Sequence, residues 1–258
     1  MAPPMEARPF PFSVVTIFPE LISALGDHGI VRRAIDGGHI GLAAVNPRDF
    51  TRDRHRTTDD RPYGGGAGMV MKPEPIAAAI DDARGRIPDG LAVLLTPQGR
   101  PFTQQVATEL AGTRGLILVC GRYEGVDERI ARGHIDLDVS IVDFVLTGGE
   151  LAAMIVIDAV TRLLPGTLGN TDSAENDSFS GNLLEHGHYT RPRIFEDQPV
   201  PEVLLSGDHQ AIARWRLETA LVRTLLQRPD LLQGRPLTPE AKKILKAWQK
   251  TIERLVDQ

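Results

Sequence analysis

The sequence predicts two domains, an N-terminal α/β domain on a parallel sheet and a smaller, mainly helical C-terminal domain. Three observations predict this. Short β-type runs alternate with helical ones over the first two thirds of the 258 residues, the pattern of an α/β fold. Several of those runs are continuously apolar, such as Ala92-Val93-Leu94-Leu95 and Leu116-Ile117-Leu118-Val119, as strands covered by helices on both faces require. Beyond a polar stretch, Arg191 to Gln258 carries helical periodicity.

Taken in order, Met1 to Pro11 is a Pro-rich segment without the basic-then-apolar order of a signal peptide, expected as a disordered lead-in. Strands are expected at Ser13–Ile17, Ile40–Val45, Leu91–Leu95, Leu116–Cys120 and Ile135–Ile141. Helices are expected at Pro19–Leu25, Pro73–Ala83, Thr103–Ala111, Val126–Arg132 and Glu150–Leu164. Pro165-Gly166 stops the last of these, because proline lacks an N–H and glycine reaches left-handed backbone angles. The first domain is therefore expected over residues 12–165.

Residues 166–189 are rich in Gly, Asn, Ser, Asp and Thr. That is longer than an ordinary connection, so a linker or lid is expected. The helical domain then spans 190–258. Asp208 is placed to cap a helix over His209–Gln227, and Thr238-Pro239 reads as N-cap and N1 of a helix over Pro239–Val256.

Composition narrows the class. The chain is 41% hydrophobic and 24% charged, ordinary for a globular protein. A single cysteine, Cys120, excludes a disulfide framework within one chain and suits a reducing, cytoplasmic setting. It is expected as a buried strand residue, not a nucleophile. No apolar run approaches bilayer length, so no membrane partner is expected. The net charge is −5, but its distribution is uneven. Residues 181–258 carry 12 Lys+Arg against 10 Asp+Glu, whereas the preceding 180 carry 17 against 24. A nucleic-acid partner would need local basic patches. Candidates are Arg48, Arg52, Arg54, His55, Arg56 and Arg61, interleaved with four aspartates, then Arg191, Arg193, and Arg214 and Arg216 flanking Trp215.

Three glycine-bearing loops follow expected strand ends: Thr96 to Pro101, Gly121 to Gly125, and Asp143 to Glu150. Ligands of open α/β sheets sit beyond such ends. None of the loops is a phosphate cradle or a dinucleotide fingerprint, which disfavours a Rossmann-type oxidoreductase. Gly64 to Gly68 is glycine-dense but follows no strand. A cofactor with adenine and ribose but no phosphates fits better, with Glu124 placed to favour a positive centre.

Arg61-Pro62-Tyr63-Gly64-Gly65-Gly66-Ala67-Gly68-Met69, Leu95-Thr96-Pro97-Gln98-Gly99, Gly121-Arg122-Tyr123-Glu124-Gly125-Val126-Asp127-Glu128-Arg129, Leu146-Thr147-Gly148-Gly149-Glu150 and Ser173-Ala174-Glu175-Asn176-Asp177-Ser178-Phe179 together resemble the bacterial tRNA (guanine-N1)-methyltransferases of the knotted, SPOUT-type superfamily. The resemblance spans Phe12 to Arg254. It implies a deep trefoil knot in the parallel-sheet domain, where chain rules alone favour an unknotted sheet. It also implies a homodimer, S-adenosylmethionine as methyl donor, Mg2+ for transfer without a dedicated protein cage, and guanosine 37 of tRNA as target, with no DNA partner. By motif, the cofactor-binding residues are Leu95, Pro97, Gly99, Gly121, Tyr123, Glu124, Gly125, Ile141, Leu146, Gly148 and Gly149. The catalytic pair is Asp177 and Arg162. Val142 and Phe144 depart from the family's usual glycine and tyrosine.

The chemistry accounts for that pair. Guanine N1 carries a proton and becomes nucleophilic as the proton leaves, so a carboxylate can serve as general base. Negative charge then builds on O6, where a guanidinium stabilises it. The 166–189 stretch is expected to act as a lid carrying Asp177 to the base. Read without the resemblance, Arg162 complements a helix C-terminus and Asp177 is a solvated loop residue. Glu185, His186 and His188 are close in sequence, but their loop spacing argues against a metal site. A catalytically silent RNA-binding relative is the competing reading; it leaves both Asp177 and Arg162 unexplained.

Overall fold

The computed structural model describes residues 8–168, 177–179, 183–233 and 237–256. The expected lead-in at 1–7 and much of the expected lid, at 169–176 and 180–182, lie outside the described residues. The chain divides into two units, Met1–Thr171 and Asp172–Gln258.

The first unit is built on β1 (Phe10–Val15), β2 (Ile40–Val45), β5 (Leu91–Pro101), β6 (Leu116–Cys120) and β7 (Leu137–Ser140). These form one five-stranded sheet in the order β2-β1-β6-β5-β7, all pairs parallel. A short hairpin of β3 (Asp59–Asp60) and β4 (Val70–Met71) stands apart. The helices are α1 (Pro19–Gly26), α2 (Gly29–Asp36), α3 (Pro73–Arg86), α4 (Gln104–Ala111), α5 (Glu128–Gly133) and α6 (Glu150–Thr161).

Alternation along β6 shows why its run is apolar throughout. Leu116, Leu118 and Cys120 join a core with Ile22, Val31, Leu110 and Val156 of α1, α2, α4 and α6. Ile117 and Val119 face the opposite core, with Ile76, Ala79, Ile80 and Ile130 of α3 and α5. Both faces are buried, so no polar position survives in the strand.

Differences from the expected elements have local causes. β1 starts at Phe10 because Pro11 sits where only β2 is paired, before β6 joins at Phe12. Proline's missing donor is tolerated there. Helix α2 went unread: it opens on Gly29, and the N-cap residue His28 makes no side-chain cap. β5 continues past Leu95 because Arg100 and Pro101 pair with β7 again after an irregularity.

The second unit holds a hairpin of β8 (Ile194–Phe195) and β9 (Gln198–Pro199), and two long helices, α7 (His209–Gln227) and α8 (Pro239–Val256). Glu196 and Asp197 both take positive φ between the hairpin strands, as a two-residue turn of matching twist demands. Asp208 accepts from the Gln210 and Ala211 amides at the start of α7, and Thr238 Oγ1 accepts from the Ala241 amide at the start of α8. Leu221, Ala241 and Ile244 form a small core with Leu183, Leu217 and Trp248 around them.

The ends of the 166–189 stretch are tied to their own units. Thr167 is buried and its hydroxyl donates to the Thr161 and Leu164 carbonyls, both at 2.7 Å. In the second unit the Leu184 amide donates to Thr224 Oγ1 at 2.9 Å.

Candidate active site

β6, β5 and β7 are neighbours running in the same direction. The three loops anticipated from the sequence therefore share one edge of the sheet, beyond the strands' C-terminal ends.

Backbone contacts lock the second loop to the third and the first to β7. The Gly149 amide donates to the Gly121 carbonyl at 2.9 Å, and Arg122 bridges to Gly148 as an isolated antiparallel pair. Val139 of β7 stands in register with both Leu95 and Arg100, so the residues between them bulge outward. A Cβ at Gly99 would land on the main chain of Asp138 and Val139, and one at Gly149 would lie 2.8 Å from Cys120 Cα. Only glycine allows these approaches.

Two glycines behave differently. A Cβ at Gly121 would meet nothing closer than 3.9 Å, and one at Gly125 nothing within 4 Å. They leave bare backbone facing open space, while Gly99 and Gly149 close the loops on themselves. Gly125 takes φ +119° and Tyr123 φ 59°, a tight turn that leaves the Tyr123 ring half exposed. Glu124 is exposed and lies over Gly68, where a Cβ would strike its carboxylate. The glycine-dense segment is thereby joined to the second loop: the Glu124 amide donates to the Met69 carbonyl, and the Met71 amide to the Gly125 carbonyl.

Leu95 is buried at the base of the first loop, whereas Pro97 is exposed on it. Ile141 packs against the core, Leu146 is half-buried, and Val142, Phe144 and Val145 are exposed. Bare backbone, an apolar floor and one carboxylate at the mouth suit an adenosyl cofactor with a positive sulfur.

The sequence reading missed the frame behind these loops. Glu150, 1% exposed, accepts from Thr16 Oγ1 at 2.7 Å and from Arg122 Nε at 2.9 Å. Arg122 Nη1 also donates to the Thr147 carbonyl, and its guanidinium stacks over the Phe18 ring at 4.5 Å. The pair fastens the second loop to the third. Glu150 also opens α6, where a negative charge complements the helix dipole. Gly-Arg-Tyr-Glu-Gly and Gly-Gly-Glu are visible as motifs; the signal overlooked is the opposite charge of Arg122 in one and Glu150 in the other. Gly148 now has a specific role: a Cβ there would collide with the Arg122 guanidinium. Cys120 is fully buried beneath the loops, and burial, with Glu150 nearby, pushes its thiol well above the ordinary range. It is no nucleophile.

Arg162 is elsewhere. It ends α6 as the C-cap residue, about 20 Å from Gly149 at 1.5 Å per residue. The chain that follows reaches the N-terminal edge of the sheet: Leu164 and Pro165 line a cavity of about 640 Å³ with Pro9, Phe10, Pro11 and His39. Within one chain, then, the three loops come together and Arg162 does not join them. Asp177 lies in the second unit, half-buried, beside Ser178.

Of the basic candidates, Arg48 donates to the Arg56 carbonyl in a turn organised by Asp53, which accepts from the His55 and Thr57 amides. Arg214 pairs with Glu218 on the exposed side of α7.

Residues 10–234 match the family described as tRNA (guanine-1)-methyltransferase TrmD. Among similar proteins, a tRNA (guanine-N(1)-)-methyltransferase of Desulfatibacillum aliphaticivorans is 54% identical over 245 residues, 95% of this chain and 94% of the relative. One from Alcanivorax borkumensis is 57% identical over 235 residues, 90% of this chain and 89% of the relative. One from Pseudomonas aeruginosa is 55% identical over 236 residues, 90% and 93% of the two chains. With a family match over residues 10–234 and relatives this similar over nine tenths of the chain, the chain belongs to the tRNA (guanine-1)-methyltransferase family.

Proposed function

We propose that this protein transfers a methyl group from S-adenosylmethionine to N1 of guanosine 37 in tRNA. The observation that carries this reading is the set of three loops on one sheet edge, the second hydrogen-bonded to the third and the first packed on β7, with open glycine backbone at Gly121 and Gly125, in a chain of this family. Leu95, Pro97, Gly99, Gly121, Tyr123, Glu124, Gly125, Ile141, Leu146, Gly148 and Gly149 form or support the cofactor pocket. In it, S-adenosylmethionine supplies an electrophilic methyl on a sulfonium centre. Asp177 accepts the guanine N1 proton while the N1–C bond forms and the C–S electron pair returns to sulfur. Arg162 donates to O6 as charge accumulates there. Mg2+, which the family resemblance implies, would assist transfer without a dedicated protein cage, as suits an ion that usually keeps several waters.

The protein acts as a homodimer, and the length of α6 supports this. Pocket and Arg162 stand about 20 Å apart on one chain, too far to serve one base. Leu151, Ile155 and Arg162 fall on one stripe of α6 by helical spacing. Leu151 is 52% exposed and Ile155 47%, with Leu21 of neighbouring α1 also exposed. A two-fold partner packing this stripe antiparallel sets its own Arg162 beside the first chain's loops. Burying the apolar patch and completing the site are then one event.

The remaining parts follow. Residues 12–165 form the cofactor domain, with the chain threaded as a trefoil knot. The close passage of Gly99 over β7 and of Gly149 over Cys120 supports that threading. Residues 166–189 form the lid and 190–258 the tRNA-binding domain.

Incubating the protein with tRNA and methyl-labelled S-adenosylmethionine, then mapping the label by mass analysis, tests this reading. One 1-methylguanosine at position 37 is expected. Label on another base, or none, overturns it.

A further inference from the structure

We propose that Glu185, His186 and His188 form a site for a divalent transition-metal ion of the imidazole-binding class, with zinc as the commitment. Their ligand atoms all lie within 4.8 Å of one another. His188 Nε2 is 2.8 Å from Glu185 Oε1, and the two imidazole centroids are 4.6 Å apart. Their spacing on a loop does not keep these side chains apart. Residues 184–190 lie outside any helix or strand, and a non-helical His-Gly-His can send both rings to one side, with no side chain between them.

Two further features suit an ion. The backbone is held in place: the Glu185 amide donates to Ser178 Oγ at 3.0 Å, and Arg223 donates to the Glu185 carbonyl at 2.9 Å. His186 Nδ1 lies 3.1 Å from the Gly187 carbonyl. Donation there fixes the tautomer that leaves Nε2 for a metal, the usual arrangement for a ligating histidine. Zinc binds imidazole nitrogen and carboxylate oxygen at about 2.0–2.2 Å, which places its ligand atoms about 3.4 Å apart. Side-chain rotation alone closes the present spacing. His188 is 66% exposed, giving an entry path and a fourth position for water. Two nitrogen ligands rule the site out as a magnesium or calcium cage, so it is separate from the Mg2+ of the transfer reaction. An ion here would clip the segment bonded to Ser178, next to Asp177.

The test uses the full, tag-free chain, stripped with a chelator and titrated with zinc chloride by calorimetry in excess Mg2+. One zinc per chain is expected, with cobalt substitution giving visible d–d bands that zinc abolishes. His186→Ala and His188→Ala should each weaken zinc by more than the roughly 10–100-fold that loss of an orienting partner causes; Glu185→Gln, which keeps the side chain's size, should also weaken it. No saturable heat and no cobalt bands in the wild type overturns the proposal, as does equal affinity in wild type and His186→Ala.

Discussion

Two stretches hold the residues assigned to chemistry, and they differ in how far main chain or side chains hold them. The three loops of the first unit are fixed by their own main chain: Gly149 bonds to Gly121, Gly99 rests on β7, and the buried Arg122–Glu150 pair clamps them from behind. Around Asp177, among the described residues, one main-chain bond from the Phe179 amide to the Leu183 carbonyl is joined by side-chain ties: Ser178 Oγ accepts from the Glu185 amide, Thr224 Oγ1 from the Leu184 amide, and Arg223 donates to the Glu185 carbonyl. A pocket built from backbone is set before any ligand arrives. A segment tied largely through side chains rearranges at less cost than one fixed by its main chain, since each neutral bond of this kind contributes about 0.5–1.5 kcal/mol net. That suits a group that must meet its base only after tRNA binds.

The sharpest way to break this contrast is to remove the proposed base. Asp177→Ala should lower kcat by about 10²–10⁴-fold, the range of general-base catalysis, while calorimetry shows cofactor affinity unchanged. Equal loss of both would place Asp177 in the pocket frame. Next comes the clamp. Arg122→Ala leaves Glu150 charged and buried, so unfolding by denaturant should show a loss of roughly 3–5 kcal/mol. Arg122→Met with Glu150→Leu should recover most of it. If the single variant is as stable as wild type, the loops are not held as described.

Gly148→Val probes the same frame more gently. Its side chain displaces the Arg122 guanidinium, so cofactor affinity should fall by at least about tenfold, 1.4 kcal/mol, with tRNA affinity retained. Unchanged cofactor affinity would separate Arg122 from the pocket. The smallest effect belongs to Asp127, which caps α5 at the Arg129 amide. The Arg129 guanidinium beside it lowers its pKa from 3.8 to about 2. A lowered native pKa stabilises the fold above pH 3.8, and that stability is lost as pH falls toward 2. Asp127→Asn should therefore cost under about 1 kcal/mol at neutral pH, a difference that vanishes in an acid titration. A constant difference at all pH values would assign the effect to capping alone.

Much of this was legible in the sequence, for physical reasons that differ by element. β2, β6, α7 and α8 fall where expected because apolar runs, Asp208 and Thr238-Pro239 mark their limits without competition. α2 was hidden by its glycine start, and the continuation of β5 by its irregular pairing with β7. The loops were legible as motifs, but their mutual bonding was not, because Gly121 and Gly149 meet only once the sheet order is known. Arg162 is the instructive residue. Its distance from the loops already followed from an unbroken helix after Glu150, yet the role implied by resemblance required both in one site. The two-fold dimer proposed above is what would reconcile the two.

Subunit mixing tests that reconciliation most directly. Gly121→Leu fills the open face of the pocket, and Arg162→Ala removes the guanidinium, so each homodimer should be inactive. Co-expressed with different tags and purified through both, the mixed dimer has one site with intact loops from one chain and an intact arginine from the other. It should recover about half the wild-type activity per dimer. A mixed dimer as inactive as its parents would contradict a site shared between two chains.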